Sequence, residues 1–172
     1  MKKAARASIL TTRAPASVIL IRLMVGLVFV SEGVQKFLYS ADLGPGRFAK
    51  IGFSEPVVLA YFVACFEVAC GALLVLGLFT RVAAVPLIVV MLTAITTTKL
   101  PMLVGHDLWG FHVRELSRYG FWTMAHQART DWSMLLGSVF LLIAGGGRFS
   151  LDAVMTRRKG SSLGPAPASS AP

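Results

Sequence analysis

The sequence predicts an all-α integral membrane protein, a four-helix bundle with both its N-terminus and its C-terminus in the cytoplasm. Three observations lead to this fold class. The chain of 172 residues is 55% hydrophobic and only 15% charged, whereas a soluble domain carries about 25% charged residues. Its mean hydropathy is +0.70. Its apolar residues fall into four long segments, separated by stretches rich in Gly, Pro and charge.

The apolar segments are predicted to form membrane helices, which in chain order are Val18–Leu38, Val57–Phe79, Val82–Leu100 and Trp132–Gly147. The first three reach the roughly 20 residues that span a bilayer. The fourth is shorter, but its stretch SMLLGSVFLLIAGGG has no charge. Pro86 falls in the first turn or so of the third segment, where a helix tolerates proline. The Thr80-Arg81 corner predicts a tight antiparallel hairpin between the second and third helices.

Loops and tails complete the predicted organisation. The first loop, 39–56, contains the turn-rich stretches GPGRF and GFSEP. The third loop, 101–131, is long and aromatic, which suits a membrane interface, and we expect it to contain a short surface helix or a lid. Residues 1–17 are predicted to form a basic cytoplasmic arm, and residues 18–152 the membrane domain. Residues 153–172 are predicted to form a cytoplasmic tail that is first basic and then disordered.

The net charge of +9 concerns the orientation of the chain more than its partners. The basic residues gather at the two chain ends and in the loops, which is typical of orientation in an anionic membrane. The lipid bilayer is therefore the predicted partner, and no nucleic acid is expected. Four crossings place both ends on one side, and the positive-inside rule makes that side the cytoplasm. Because no small-x-small cleavage site follows the first apolar run, that run is predicted to stay as a membrane helix.

No metal site is predicted from the cysteines and histidines. Cys65 and Cys70 match no zinc spacing, and five residues of helix separate them by about 7.5 Å of rise, beyond the reach of a disulfide. They are predicted to be small buried hydrophobes. The histidines, His106, His112 and His126, have no tight metal-binding spacing.

Charged residues inside the apolar segments mark the candidate site. Each costs about 2.5–3.5 kcal/mol at the middle of a membrane helix on the insertion scale. Glu32 and Lys36 lie four residues apart in the first helix, and Glu67 lies deep in YFVACFEVACGALL. Glu32 and Glu67 differ in depth by about 6 Å at 1.5 Å per residue, so their side chains can approach. These residues are predicted to line a polar pocket open toward the outer face, as catalytic groups or a proton relay.

The third and fourth segments place further polar residues at a similar level. A threonine cluster precedes Lys99 in the third segment, and HQARTDW stands at the start of the fourth. The predicted ligand-binding residues are Thr97, His126, Arg129 and Asp131.

Structural explanations for the same residues remain open. Glu32 and Lys36 could be a simple ion pair near the lipid headgroups. Glu67 could be neutral and hydrogen-bonded to a neighbouring helix. Thr130 or Asp131 could cap the first free amides of the fourth helix. The threonines could bond back to their own helix or join two helices.

The motifs SEGVQKF, FEVACGALLVLGLFTR, HQARTDW and GGGRFSLD follow one another along the chain. Together they resemble the DoxX family of small bacterial four-helix membrane proteins, over about Val18–Asp152. The resemblance implies a multi-pass protein of the bacterial cytoplasmic membrane. It also implies a link to thiosulfate:quinone oxidoreductase and to membrane complexes that handle oxidative and thiol stress. The positions that match the family's motifs are Glu32, Lys36, Glu67, Arg81, His126, Arg129, Asp131, Arg148 and Asp152.

The resemblance thus implies a membrane subunit of a redox system near the quinone pool, with quinone and soluble redox enzymes as its partners. No flavin, haem or iron–sulfur motif is visible in the sequence, so no bound cofactor is evident. A non-enzymatic scaffold that recruits soluble redox enzymes is the alternative. A small-solute carrier is disfavoured, because the inner half of the bundle shows no polar path. The sequence leaves a homo-oligomer open.

Overall fold

The computed structural model describes residues 15–161, and side chains up to residue 156. Within this range the chain is helical, with an isolated β-bridge between Leu108 and Phe111 and no β-strand. The helices are α1 (Val18–Leu38), α2 (Pro45–Ile51), α3 (Pro56–Leu76), α4 (Thr80–Ala94), α5 (Leu100–Val104), α6 (Phe121–Ala144) and α7 (Leu151–Ser161). A π-helical segment, Ile95–Lys99, joins α4 to α5.

Three helical stretches are long and apolar enough to cross a membrane: Val18–Leu38, Pro56–Leu76 and Thr80–Val104. Large apolar side chains such as Leu20 and Leu27 are exposed on their outer faces, where a bilayer would cover them. The fourth long helix, α6, packs against α4 and α1. The predicted class, an all-α integral membrane protein, is confirmed.

The bundle consists of two tightly packed antiparallel helix pairs, α1 with α3 and α4 with α6. Small residues allow the close contact of the first pair. A Cβ added to Gly26 would lie 2.8 Å from the carbonyl oxygen of Gly71, and one added to Gly33 would lie 2.8 Å from that of Ala64. Small residues at such interfaces let membrane helices approach closely. The α1–α3 spacing is therefore set at two levels of the bundle.

The two ends of the bundle differ in what covers them. We call the end that carries α2 and residues 105–120 the loop end, and the opposite one the α7 end. At the α7 end, the Asp152 carboxylate accepts hydrogen bonds from the amides of Phe79 (2.8 Å) and Thr80 (3.0 Å) and from the Thr80 hydroxyl (3.1 Å). Arg22 of α1 donates through Nη1 to the carbonyl of Gly146 at 2.7 Å. These bonds tie both helix pairs together at the α7 end.

The fourth helix begins about three turns earlier than predicted, at Phe121 rather than Trp132. Thr130 and Asp131 consequently lie inside α6, and their predicted role as an N-terminal cap is wrong. The polar run HQART hid this start, because it interrupts the apolar pattern from which the sequence places a membrane helix. Gly120, with φ 110°, precedes the first helical residue.

The corner between α3 and α4 also differs from the prediction. α3 ends at Leu76 because Gly77 adopts a left-handed conformation with φ 68°. α4 then starts at Thr80, so Pro86 lies in the helix interior and not in its first turn. The predicted tight hairpin is confirmed, with its turn at Gly77–Phe79.

The predicted arm and tail lie partly outside the described range. Residues 1–14 of the arm and 162–172 of the tail fall outside it, while residues 153–161 belong to α7. Both cysteines are free: Cys70 is buried as predicted, whereas Cys65 is exposed.

Candidate functional site

A cavity of about 580 Å³ lies between the two helix pairs in the loop-end half of the bundle. This volume is within the range of about 300–1,000 Å³ that is typical of small-molecule sites. Most of its wall is apolar and includes Val28, Phe29, Phe62, Val63, Phe66, Val90, Met91 and Met134. Its charged wall residues are Glu32, Lys36, Arg47, Glu67, Lys99 and Asp131. The site therefore combines an apolar body with a few charged groups.

The first charged pair of the cavity joins α1 to α3. Lys36 donates through Nζ to Oε2 of Glu67 at 2.6 Å. Glu67 is only 2% exposed, so its carboxylate needs this partner. The close Gly33–Ala64 contact brings the two helices near enough for the bond. The pair therefore follows from the packing of α1 on α3.

Glu32 does not pair with Lys36 through its side chain, so the simple ion pair left open by the sequence is wrong. Lys36 Nζ reaches only the backbone carbonyl of Glu32, at 3.5 Å. Among the described residues, the Glu32 carboxylate has no hydrogen bond or ion pair. Glu32 lines the cavity and is exposed. Its carboxylate is therefore available to a ligand or to water.

The second charged pair joins the π-helical segment that follows α4 to α6. Lys99 Nζ lies 3.2 Å from Oδ2 of Asp131, and Lys99 is 7% exposed. Lys99 is the last residue of the π-helical segment. A π turn holds one residue more than an α turn and so rotates the residues that follow, and such turns are frequent at functional sites. The two helix pairs thus each contribute one Lys–carboxylate pair to the same cavity.

The threonines of the π-helical segment bond back to their own helix, which confirms that structural alternative. Thr97 donates to the carbonyl of Thr93 at 2.8 Å, and Thr98 to that of Ala94 at 2.6 Å. Thr97 is buried and also lines the cavity. Its hydroxyl oxygen can still accept a hydrogen bond from a ligand.

The helix α2 lies over the loop end of the cavity, and Arg47, Phe48 and Ile51 are among the lining residues. Pro45 stands at its start, and Gly52 ends it with φ 102°. A side chain at Gly44 would collide with the Lys36 carbonyl, so this glycine lets α2 fold back onto the end of α1.

A loop at 105–120 holds α2 in place. The amide of His112 donates to the carbonyl of Ile51 at 2.8 Å, and the rings of Phe53 and Phe111 lie 5.2 Å apart. A short surface helix or a lid was predicted for the third loop, 101–131, and the five-residue helix α5 (Leu100–Val104) lies at the start of that range. The helix over the cavity, α2, lies in the first loop instead. Residues 105–120 contain no helix.

The loop at 105–120 has its own polar anchor at Asp107. Its carboxylate accepts a bond from the Val113 amide at 2.7 Å and lies 2.7 Å from Nδ1 of His112. These contacts, the histidine first, hold the pKa of Asp107 below its ordinary value.

Two of the predicted ligand-binding residues lie away from the cavity. His126 and Arg129 are exposed on α6 and are not among the lining residues. They contact each other, with Arg129 Nη1 3.0 Å from His126 Nε2. The structure brings the other predicted residues together at the cavity: Glu32, Lys36, Glu67, Thr97 and Asp131.

Two charged lining residues were absent from the predicted site. Lys99 had a usable signal, since it stands in an apolar helix at the level of the other charges. Arg47 had none, because its stretch GPGRF looks like a turn and not like a helix over a cavity. Among the described residues, no group of three or more His, Cys, Asp and Glu is placed to hold a metal ion.

Comparisons with known proteins give a match to a protein family and a match to an individual protein. The family model for DoxX matches residues 17–100, from α1 into the end of the third membrane-length stretch. The uncharacterized membrane protein Rv3486 of Mycobacterium tuberculosis is 51% identical over 150 residues, which cover 87% of this chain and 88% of that protein. No solved structure matches the chain.

Proposed function

The chain belongs to the DoxX family of membrane proteins, and on that premise we propose that it is a membrane subunit of a redox system whose cavity binds a quinone. The observation that carries this proposal is the pairing of an apolar cavity with two Lys–carboxylate pairs inside a membrane bundle. A quinone has the same two parts, a polar head with two carbonyl oxygens and an apolar tail.

The charged pairs supply what a quinone head requires. Lys36 and Lys99 come from opposite helix pairs and both line the cavity. A head group that lies between the pairs would have an ammonium donor on each side, and each ammonium stays neutralised by its own carboxylate. Charge-assisted hydrogen bonds of this kind are about twice as strong as neutral ones.

Protons and electrons have separate sources in this proposal. Reduction of a quinone to a quinol consumes two electrons and two protons. Lys36 would donate a proton to one carbonyl oxygen of the quinone, and Lys99 would donate the second proton to the other. Glu67 and the unpaired Glu32 would pass a proton from water back to Lys36, and Asp131 would do the same for Lys99. The electrons would come from a soluble redox enzyme that docks on the membrane subunit and is itself oxidised.

We also propose the orientation and the membrane. The basic arm carries Lys2, Lys3, Arg6 and Arg13, and Arg148 follows α6 at the same end. By the positive-inside rule, this α7 end would face the cytoplasm, and the membrane would be the bacterial inner membrane. The cavity would then lie in the outer half of the bilayer.

Lipid extraction tests the proposal directly. The protein is purified in nanodiscs made from bacterial lipids, and the bound lipids are extracted and analysed by chromatography and absorbance. We expect a quinone enriched over the bulk lipid, and we expect that Glu67→Gln lowers its amount. Glu55→Gln is the matched control, because Glu55 is exposed at the start of α3 and does not line the cavity.

Two results would decide against quinone binding. One is a wild-type protein without enriched quinone, and the other is a Glu67→Gln variant that is monodisperse and binds as much as the wild type. Partner capture that depends on the basic arm and tail, with silent cavity variants, would then favour the scaffold that recruits soluble redox enzymes.

A further inference from the structure

The cavity opens sideways toward the surroundings of the bundle. Phe62 and Phe66 on α3 line it and are 59% and 38% exposed, and Val89 on α4 lines it and is 57% exposed. Thr93, one turn from Val89, is also exposed and lines the cavity. A side chain that faces the cavity and the outside together must stand at an opening. These residues therefore form the rim of a gap between α3 and α4.

The packing of the bundle explains why this gap exists. α3 and α4 belong to different tight pairs, and the Gly77–Phe79 turn joins them at the α7 end. Away from that turn, no charged pair of the described residues joins α3 to α4: Lys36–Glu67 joins α1 to α3, and Lys99–Asp131 joins the π-helical segment after α4 to α6. The two pairs can therefore separate toward the loop end.

The rim of the gap lies at the depth of the bilayer interior. At 1.5 Å per residue, Phe62 is about 9 Å and Phe66 about 15 Å from the loop end of α3 at Pro56. Val89 is about 22 Å from the corresponding end of the third membrane-length stretch at Val104. A hydrocarbon core is about 30 Å thick, so Phe66 and Val89 lie well inside it, where the gap faces lipid chains.

We propose that the gap between α3 and α4 is a lateral portal through which the ligand enters from the bilayer, and in which its single apolar tail remains. The ligand class is thus a membrane-dissolved amphiphile with one chain, whose head reaches the two Lys–carboxylate pairs. The proposal deepens the proposed function, since a quinone is such a molecule, but the portal itself depends only on the tail.

The other exposed lining residues have a different character. Glu32 on α1 and Thr130 on α6 are exposed and line the cavity, and Arg47 on α2 is exposed above them. This polar side can admit water and protons. An apolar tail placed there would remove water from the charged groups of Glu32 and Arg47. The gap between α3 and α4 would therefore admit the apolar tail, and the side at Glu32 and Thr130 would admit water and protons.

Photolabelling in nanodiscs tests the portal. The first probe is a naphthoquinone with a diazirine at the end of an alkyl tail, and the second is a fatty acid with a diazirine in its chain. We expect both to label the α3 peptide around Phe62 and Phe66 and the α4 peptide around Val89 and Thr93. Labelling of α1 around Glu32 and of α6 around Thr130 instead would overturn the portal.

The two probes separate the portal from the proposed function. If the fatty acid labels the rim and the naphthoquinone labels nothing in the cavity, the portal holds and quinone binding fails. If an otherwise identical naphthoquinone with its diazirine on the head labels the cavity while neither tail labels the rim, quinone binding holds and the portal fails.

A substitution in the rim gives an independent test. Val89→Trp should narrow the gap and slow the association of the tailed naphthoquinone by about tenfold, without an effect on a tail-less naphthoquinone. Val85→Trp is the matched control, because Val85 is 48% exposed one turn away on α4 and does not line the cavity. Equal association rates in the two variants would overturn the proposal.

Discussion

Lys36 on α1 forms its ion pair with Glu67 on α3, at 2.6 Å, and not with Glu32 one turn before it in its own helix. Exposure explains the choice. Glu32 is exposed, whereas Glu67 is 2% exposed, and a buried charge is strongly destabilising unless a partner compensates it. The pair therefore both closes the α1–α3 interface and places a neutralised ammonium at the cavity.

Removal of one member of this pair should destabilise the protein more than removal of both. Lys36→Met leaves the Glu67 carboxylate buried without a cation, at a cost of about 3–5 kcal/mol. The double variant Lys36→Met/Glu67→Leu leaves no buried charge, so it should recover most of that loss. Unfolding by SDS, followed by circular dichroism, measures the four corners of the double-mutant cycle.

Lys50→Met is the control for the loss of a surface cation, since Lys50 is exposed on α2. A double variant as unstable as the sum of the two single variants would show that the pair is not coupled in the folded protein.

Close packing of α1 on α3 should be sensitive to a single methyl group. Gly33→Ala places a Cβ 2.8 Å from the Ala64 carbonyl oxygen, and backbone cannot rotate out of the way. We expect a loss of about 1–3 kcal/mol, as for overpacked cores, measured by the same SDS unfolding. Val34→Ala, at an exposed neighbour of Gly33, should have little effect. Equal effects of the two substitutions would contradict the close contact.

Much of the fold could be predicted from local pattern, since α1 begins and ends at the predicted residues Val18 and Leu38. An apolar run with polar flanks fixes both ends of a membrane helix. The first turns of α6 could not be predicted in this way. Their polar residues make no apolar run, and their stability comes from tertiary partners such as Lys99 for Asp131.

The candidate site was predictable in its residue types but not in its pairing. Depth along each helix placed Glu32, Lys36 and Glu67 at a similar level, and all three line the cavity. Depth contains no information on rotation about the helix axis. Helix packing and the π turn set that rotation. It decides that Lys99 lines the cavity and that His126 and Arg129 do not.

The π-helical segment should tolerate the deletion of one residue. A π turn holds one residue more than an α turn, so removal of the exposed Thr96 lets the segment continue as α-helix with both flanks in place. Deletion of Leu136, which is also exposed but lies in the regular α-helix α6, has no π turn to absorb it and would rotate the two parts of α6 against each other by about 100°. Asp131, which precedes the deletion, would then face away from Lys99 while the rest of α6 keeps its packing.

SDS unfolding and monodispersity in detergent compare the two deletions. We expect the Thr96 deletion to stay within about 1 kcal/mol of the wild type, because both flanks keep their packing. The Leu136 deletion should fail to give a stable bundle, because one part of α6 loses its contacts whichever part stays in place. The reverse order of stability would contradict the role of the π turn.

Acidification should loosen the loop at 105–120 through Asp107. Its contacts with His112 and the Val113 amide lower the pKa of Asp107, so they stabilise the loop above the ordinary pKa of the group. That contribution is lost as the pH falls through the lowered value. We compare hydrogen exchange of the Val113 amide in the wild type and in Asp107→Asn at each pH. At neutral pH, we expect it to be slower in the wild type. The two proteins should converge in acid, and a constant ratio across the titration would exclude Asp107 as the cause.

The Asp152 cap should hold α7 to the start of α4 at the α7 end. Its carboxylate binds the free amides at the start of α4 from a position on α7, and it stands where a helix dipole favours negative charge. Asp152→Ala leaves the buried Thr80 hydroxyl and amide without this partner, so we expect a loss of about 2 kcal/mol in the free energy of unfolding. Asp42→Ala, at an exposed site between α1 and α2, is the control.

Because the cap lies far from the cavity, Asp152→Ala should lower the SDS unfolding midpoint while naphthoquinone labelling of the folded fraction stays the same. Loss of labelling in a fully folded variant would show that the α7 end controls the cavity.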